Sequence, residues 1–250
     1  MKKFLKKIVN KLGYRITRTS NTSTFDFDMH TYLLSNFYVT LKKLDFHPKH
    51  VVDVGANHGS WTREALNHFP SAHFTLVDPQ HWLKKSFQDI LDSNPKVHFH
   101  AVGAGDKEGS FKFTIHDRDD SSSFRYSEED AKNEGLKQIE IPVITLNKLL
   151  SDPALPIPDM IKIDAEGLDI EVLNGTSDFF GKTEIFLIEA GVGAKIFDNS
   201  FLNVINYMDE RGYRLFDITG MNRPFVPEFL WLVELAFIKK DGFIDSKVKI

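Results

Sequence analysis

The chain has 250 residues, 42% of them hydrophobic, a formal net charge of -4 and no cysteine. The missing cysteine excludes disulfides, thiolate zinc sites, iron-sulfur clusters and a cysteine nucleophile. The length suits one α/β domain with short appendages, and the slightly acidic balance gives no footprint for nucleic acid, leaving small molecules or glycans as partners.

The charge is unevenly spread. Lys2, Lys3, Lys6, Lys7, Lys11, Arg15 and Arg18 precede the first acid, Asp26, whereas the rest of the chain is strongly acidic. Within this arm Phe4, Leu5, Ile8, Val9 and Leu12 recur at helical spacing, the pattern of a basic amphipathic helix that either packs on the body or touches an anionic membrane surface. The arm has no apolar run like the core of a secretory signal peptide, and nothing in the chain approaches the ~20 apolar residues of a membrane span. The expected location is cytoplasmic, with peripheral membrane contact through residues 1–19 as the alternative to packing on the body.

A helix is expected from Met29 to Leu44, ending before His47-Pro48 because the residue before proline avoids helical geometry. A regular alternation follows: strand Val51 to Val54, helix Ser60 to Phe69, strand His73 to Asp78, helix His81 to Leu91 and strand Lys96 to Val102. This order implies a parallel, doubly wound sheet with right-handed crossovers. Between about 104 and 144 the rhythm changes to two strands, Ser110 to Ile115 and Gln138 to Ile144, around a polar loop from Asp117 to Glu134 that is long enough to be functional. Alternation resumes with strand Met160 to Asp164, helix Leu168 to Leu173, strand Ile185 to Glu189 and helix Phe201 to Arg211. The last strands, Tyr213 to Ile218 and Leu230 to Lys239, have no helix between them and are expected to be antiparallel neighbours. The chain thus divides into a basic arm with a helical extension, 1–46, and an α/β domain, 47–250, carrying an insertion at about 104–144.

Three segments carry chemistry. The run Asp53-Val54-Gly55-Ala56-Asn57-His58-Gly59 leaves the first strand, and an open parallel sheet binds ligands outside the carboxyl ends of its strands. Gly55 and Gly59 allow a close backbone approach, and Asp53 and Asn57 place polar groups beside it. The loop lacks both the GxGxxG of a dinucleotide fingerprint and the lysine of a P-loop. At the second strand tip Asp78-Pro79 supplies a carboxylate able to accept two ribose hydroxyls. A glycine-bent loop and a ribose acid without phosphate donors suit S-adenosylmethionine better than NAD. The third segment, Ile161 to Gly175, sets Lys162 and Asp164 on one side of a strand end, with Glu166 beside the following helix. Asp164 is either a cap of that helix or part of the chemistry. Glu189, at the fifth strand tip, adds a third carboxylate to the same rim, a set that suits a general base or Mg²⁺ held by Asp164 and Glu189. His58 is a secondary candidate base, and His98 and His100 share a strand face without a further ligand motif.

Together DVGANHG, Val77-Asp78-Pro79, AVGAGDKEG, IPVITLNKLL, IKIDAEGLDIEVLNG and the strand ending in Glu189 resemble the FkbM family of S-adenosylmethionine-dependent methyltransferases over about Val51 to Lys240. The resemblance implies a Rossmann-like class I methyltransferase fold, a seven-stranded, mostly parallel sheet with its last pair antiparallel, and O-methylation of a sugar, glycan or secondary-metabolite hydroxyl. It also implies that Asp53, Gly55, Asn57 and Gly59 line the methionine part of the cofactor, that Asp78 holds its ribose, and that Ala101 and Val102 sit near the adenine. Two departures stand out, Asp78 where the family commonly has Glu, and Asn147 where it often has Asp. For the transfer itself the candidates are Asp164 and Glu166, with Glu189 in support and Lys162 as an orienting group. The competing readings are a methyltransferase-like binding or scaffold module recruited by the basic arm, and an NAD-dependent oxidoreductase, which the missing third glycine disfavours.

Overall fold

A computed structural model describes residues 32–193 and 198–248; the basic arm at 1–19 and the start of the first expected helix lie outside the described residues. From Leu33 to Lys43 that helix is present (α1), with Phe37, Tyr38 and Leu41 at helical spacing and fully buried. There follow β1 (His50–Val54), α2 (Ser60–His68) and β2 (His73–Val77). The single helix expected from His81 to Leu91 is instead a 3₁₀ segment, His81–Phe87, running into α3 (Gln88–Ser93). The break falls at Phe87, whose φ of -131° leaves helical space, and its side chain packs on Gly59, where a Cβ would come within 3.0 Å of it.

After β3 (Val97–His100) come β4 (Gly103–Ala104), β5 (Gly109–Ile115), α4 (Glu128–Asn133) and β6 (Lys137–Ile144). The polar loop expected throughout Asp117 to Glu134 therefore ends in a helix. Ser127 caps it by accepting the Asp130 N–H at 3.0 Å, and Glu128, Glu129 and Asp130 fill its first turn, where negative charge is favoured. Strands β4, β6 and β5 form a separate three-stranded sheet in that order.

The main sheet is completed by α5 (Leu146–Leu149), β7 (Met160–Ile163), α6 (Asp169–Asn174), β8 (Ile185–Gly191), α7 (Phe201–Glu210), β9 (Tyr213–Asn222) and β10 (Leu232–Lys239). Its order is β3-β2-β1-β7-β8-β10-β9, parallel through β8, with β10 antiparallel to both β8 and β9. This is the expected seven-stranded Rossmann-like class I sheet.

Alternate strand residues feed two cores, as the period of two requires. Val51, Leu76, Met160, Leu187 and Ala236 pack with α1 on one face. Val52, Val77, Ile161, Ile188 and Leu235 pack with α6 and α7 on the other. Asp53 and Lys162 continue the first series, so two charged residues share the α1 face, directly opposite each other in the β1–β7 register. Among the described residues no helix is long and apolar enough to cross a membrane.

Candidate active site

The chain winds outward from β1 to β3 and then returns to place β7 on the other side of β1. That reversal opens a crevice at the carboxyl ends of β1 and β7, where an open α/β sheet binds its ligand. A cavity of about 150 Å³ occupies the crevice. Its wall is built from the strand-end segments Val54–Asn57, Val77–Gln80, Val102–Ala104 and Asp164–Leu168, and the insertion contributes Asp119, Asp120, Ser122, Ser123 and Phe124.

The loop after β1 is held by its own hydrogen bonds. Gly55, Asn57 and Gly59 all take left-handed φ, at 74°, 46° and 75°. At Gly55 a Cβ would collide with the backbone carbonyl of Asp164, so only glycine fits this contact between the two central strands. The N–H groups of Gly55 and Ala56 donate to Val77 O, that of Asn57 to Asp78 Oδ2, that of His58 to Asn57 Oδ1, and that of Gly59 to Ala56 O. Every backbone donor from Gly55 to Gly59 is thus engaged within the protein. A pyrophosphate cradle needs free backbone N–H groups pointing at the ligand, and this loop has none to offer.

Asp78 is clamped between two loops: Oδ2 accepts the Asn57 N–H at 2.8 Å and Oδ1 the Gln80 N–H at 2.7 Å. Burial raises its pKa against the pull of those two bonds. Each oxygen keeps a second lone pair, so the carboxylate can still accept two hydroxyls.

Beneath the wall lies a buried charge cluster. The Lys162 ammonium is 3.3 Å from Asp53 Oδ1 and 3.3 Å from Asp164 Oδ2, and it donates to the carbonyls of Val54 and Gly55. Burial opposes its charge, but Asp164, Asp53 and Glu234 outweigh that and hold its pKa above the ordinary lysine value. Asp53 is fully buried and accepts the Thr62 hydroxyl at 2.5 Å. Lys162 therefore ties the β1 loop to β7, and of the carboxylates it touches only Asp164, 35% exposed, reaches the cavity wall.

Around Asp164 the acids crowd one another. Burial first, then Asp164 and Asp169, push Glu166 up to about 8. Burial and Asp164 likewise raise Asp169 to about 8, although its two oxygens accept from the Ala165 N–H and the Asn199 amide. Glu189 is raised well above its usual range by burial and by Asp164, Asp169 and Glu166. Glu166 has a left-handed φ of 51° and lines the cavity.

The residues expected at the site separate into two groups. Gly55, Asn57, Asp78, Val102, Asp164 and Glu166 are on the cavity wall. Asp53, Gly59, Ala101, Lys162 and Glu189 are not: Asp53 and Lys162 lie beneath the wall, Gly59 faces Phe87, and Glu189 lies opposite Glu234 in the β8–β10 register. Asp164 does not cap the following helix, whose N-cap is Leu168 with no side-chain bond. Among the described residues no three His, Asp or Glu side chains form a metal-holding group. The Mg²⁺ site expected at Asp164 and Glu189 is therefore not supported, and the Lys162 ammonium already stands where a cation would neutralise Asp164. His58 bonds Ser86 at 2.8 Å and Asp119 at 3.2 Å, joining the β1 loop to the insertion.

Sequence reasoning missed Gln80, Asp169, Asn199 and Phe124. Asp169 stood inside the most specific motif, and Gln80 directly follows Asp78-Pro79; both become visible only when their neighbours are known.

Among solved structures the chain is similar to a precorrin-6y C5,15-methyltransferase from Geobacter metallireducens GS-15, at 13% identity and a TM-score of 0.47 over 89% of this chain and 93% of that one. It is also similar to a putative RNA methyltransferase from Pyrococcus horikoshii, at 11% identity and a TM-score of 0.47 over 96% and 100%, and to M. capricolum TrmK in complex with S-adenosyl-homocysteine, at 7% and 0.46 over 80% and 67%. Similarity at this level says nothing about the activity of this chain. No curated protein matches it significantly. The sequence profile of the methyltransferase FkbM domain matches residues 53–215, a span running from the Asp53 loop through the acid rim to β9, and the chain belongs to that family.

Proposed function

We propose that this protein is an S-adenosylmethionine-dependent O-methyltransferase acting on a hydroxyl of a sugar, glycan or secondary metabolite. The observation that carries this reading is one wall that brings together a doubly anchored Asp78, a glycine-bent loop with no free backbone N–H, and Asp164 paired with Lys162. A nucleoside without phosphates fits such a wall: Asp78 accepts its ribose hydroxyls, and Val102 and Phe124 flank an apolar region for the base. S-adenosylmethionine, when bound, supplies an electrophilic methyl group on a sulfonium centre.

The chain's own task is to hold the acceptor oxygen in line and take its proton. Asp164 is the proton acceptor in this reading, because it lies on the wall and its charge is supported by the ammonium beneath it. Glu166, with a pKa of about 8, keeps its proton at neutral pH and donates a hydrogen bond instead. Glu189 lies behind the wall, where burial favours its neutral form, and Lys162 orients Asp164.

Calorimetric titration with S-adenosylhomocysteine and label transfer from methyl-labelled S-adenosylmethionine to a panel of hydroxylated acceptors test the reading. Asp164→Asn should lower transfer by about 10²- to 10⁴-fold with the S-adenosylhomocysteine affinity unchanged. Undiminished turnover in that variant removes Asp164 as the base. No binding of S-adenosylhomocysteine by the wild-type protein would instead favour a scaffold.

A further inference from the structure

The turn between β9 and β10 is apolar and stands in solvent. Between Met221 and Trp231 the charged residues are Arg223 and Glu228, so the tip has no net charge. Val226 is 91% exposed, and Met221, Phe225 and Phe229 are exposed as well. The rings are nonetheless fixed in place. Phe225 and Phe229 stack at 5.3 Å with 14° between their planes, and the Trp231 ring meets Phe225 edge-on at 4.9 Å. Phe229 lies against the bare backbone of Gly193, where a Cβ would come within 2.9 Å of the ring. A contiguous apolar patch held in one shape marks a surface that something covers.

The topology places this tip on the edge that carries the cavity. Because β10 runs antiparallel to β8, with Leu232 opposite Gly191, the turn projects from the carboxyl edge of the sheet, as Asp164 does at the end of β7. Two strand spacings separate β10 from β7, so along that edge the tip stands on the order of 10 Å from Asp164. The same corner exposes Val192, whose N–H donates to Trp231 O, and Leu202 at the start of α7, where Ser200 bridges to Gly191. Residues 1–31 join the described chain here too, since Leu33, at the start of α1, lines a groove with Met221. Their first 19 residues hold seven lysines and arginines and no acid. The twelve residues from Ser20 to His30 and Thr31 that link them to Tyr32 can span up to ~40 Å, so the basic charge can meet whatever surface the tip meets.

We infer that this corner of the carboxyl edge docks on an anionic lipid surface, with the β9–β10 tip inserted among the headgroups and the basic segment supplying the electrostatic attraction. Each half of the pair matches one property of such a surface. Aromatic and aliphatic side chains partition into the headgroup boundary, and lysines and arginines are drawn to anionic lipids. A projecting tip also suits a lipid interface because that interface has no fixed shape to complement. The attachment is independent of the cofactor reading, because it needs neither S-adenosylmethionine nor an acceptor.

The chain has no cysteine, so Val226→Cys can be labelled at a single thiol with an environment-sensitive fluorophore. Ile157→Cys, exposed at the opposite edge just before β7, is its control. Vesicles of phosphatidylglycerol and phosphatidylcholine in equal parts should shift the emission of the label at 226 to the blue and leave that at 157 unchanged. In co-sedimentation the full chain should bind those vesicles, and bind pure phosphatidylcholine roughly ten- to hundredfold more weakly. The combined variant Phe225→Ser, Val226→Ser and Phe229→Ser should bind the anionic vesicles roughly tenfold more weakly than wild type. Val226→Asp, which leaves the rings in place, should lose binding in the same direction with an unchanged melting temperature. Full binding by both variants, or a label at 226 that stays in water while the protein sediments, overturns the inference and leaves the basic segment acting alone. No sedimentation of wild type with either vesicle overturns it as well. So does a wild-type dimer that Val226→Asp converts to a monomer in sedimentation velocity, which would assign the tip to a second copy of this chain.

Discussion

The two halves of the cavity wall are built on opposite principles. At the tips of β1 and β2 every backbone donor from Gly55 to Gly59 is matched, and Asp78 is held by two backbone N–H groups. At the tips of β7 and β8, Asp164, Glu166, Asp169 and Glu189 crowd into one region, and the Lys162 ammonium is the cation beneath them. The first half is rigid through hydrogen bonding and shape, which suits recognition of a fixed ligand. In the second, burial and the neighbouring acids hold Glu166, Asp169 and Glu189 above the usual carboxylate range. Lys162 belongs to both, because it bonds the carbonyls of Val54 and Gly55 as well as facing Asp164.

Removing that shared clasp should have the largest effect. Lys162→Met leaves Asp53 buried without its cation, and equilibrium denaturation should show a loss of about 3–5 kcal/mol. A loss under ~1 kcal/mol would mean that the two halves stand independently. Next comes Gly55→Ala, which combines a left-handed φ with a collision against the Asp164 carbonyl. It should cost about 1–3 kcal/mol and abolish S-adenosylhomocysteine binding, because the strand tips can no longer meet.

Asp78→Asn tests the hydrogen-bonded half alone. Both carboxylate oxygens accept N–H groups, so an amide nitrogen must face one donor with another. Calorimetry should record about a tenfold weaker affinity for S-adenosylhomocysteine, ~1.4 kcal/mol, and the melting temperature should fall because one buried N–H loses its acceptor. An unaltered affinity would take the ribose role from Asp78.

The smallest effect sharpens the acidic half. Asp169 has a folded pKa of about 8 against an ordinary value of 3.8, so between those values the folded state holds a proton that the unfolded state has released. Its contribution is complete at acid pH and is lost as pH rises through about 8. Melting temperature should therefore fall between pH 5 and pH 8.5, and the fall should be shallower in Asp169→Asn, which also starts lower because it loses an acceptor. Parallel profiles would show that Asp169 is not tense in the folded protein.

Much of this was legible in the residues. The alternation from Val51 to Phe99 and the antiparallel final pair follow from periodicity and turn chemistry, and Gly55, Asn57, Asp78, Asp164 and Glu166 all stand at strand tips where the motif placed them. The errors have particular causes. The helix over His81 to Leu91 breaks at Phe87 because that ring is drawn against Gly59, a contact between distant segments. The loop to Glu134 hides a helix because its polar composition masked the Ser127 cap. What the motif does not reveal is that Asp53, which opens it, is turned toward Lys162 by its position in the β1–β7 register.

By itself the sequence determined the order of elements, the glycine-bent loop and the set of acids at the sheet edge, since periodicity, backbone freedom and strand ends are local properties. Only the tertiary structure decided which of those acids face the cavity and which are buried against a lysine, and that Gln80 lies against the Asp78 carboxylate. Those facts depend on strand order, register and burial, and they arise only when segments far apart in the chain share one environment.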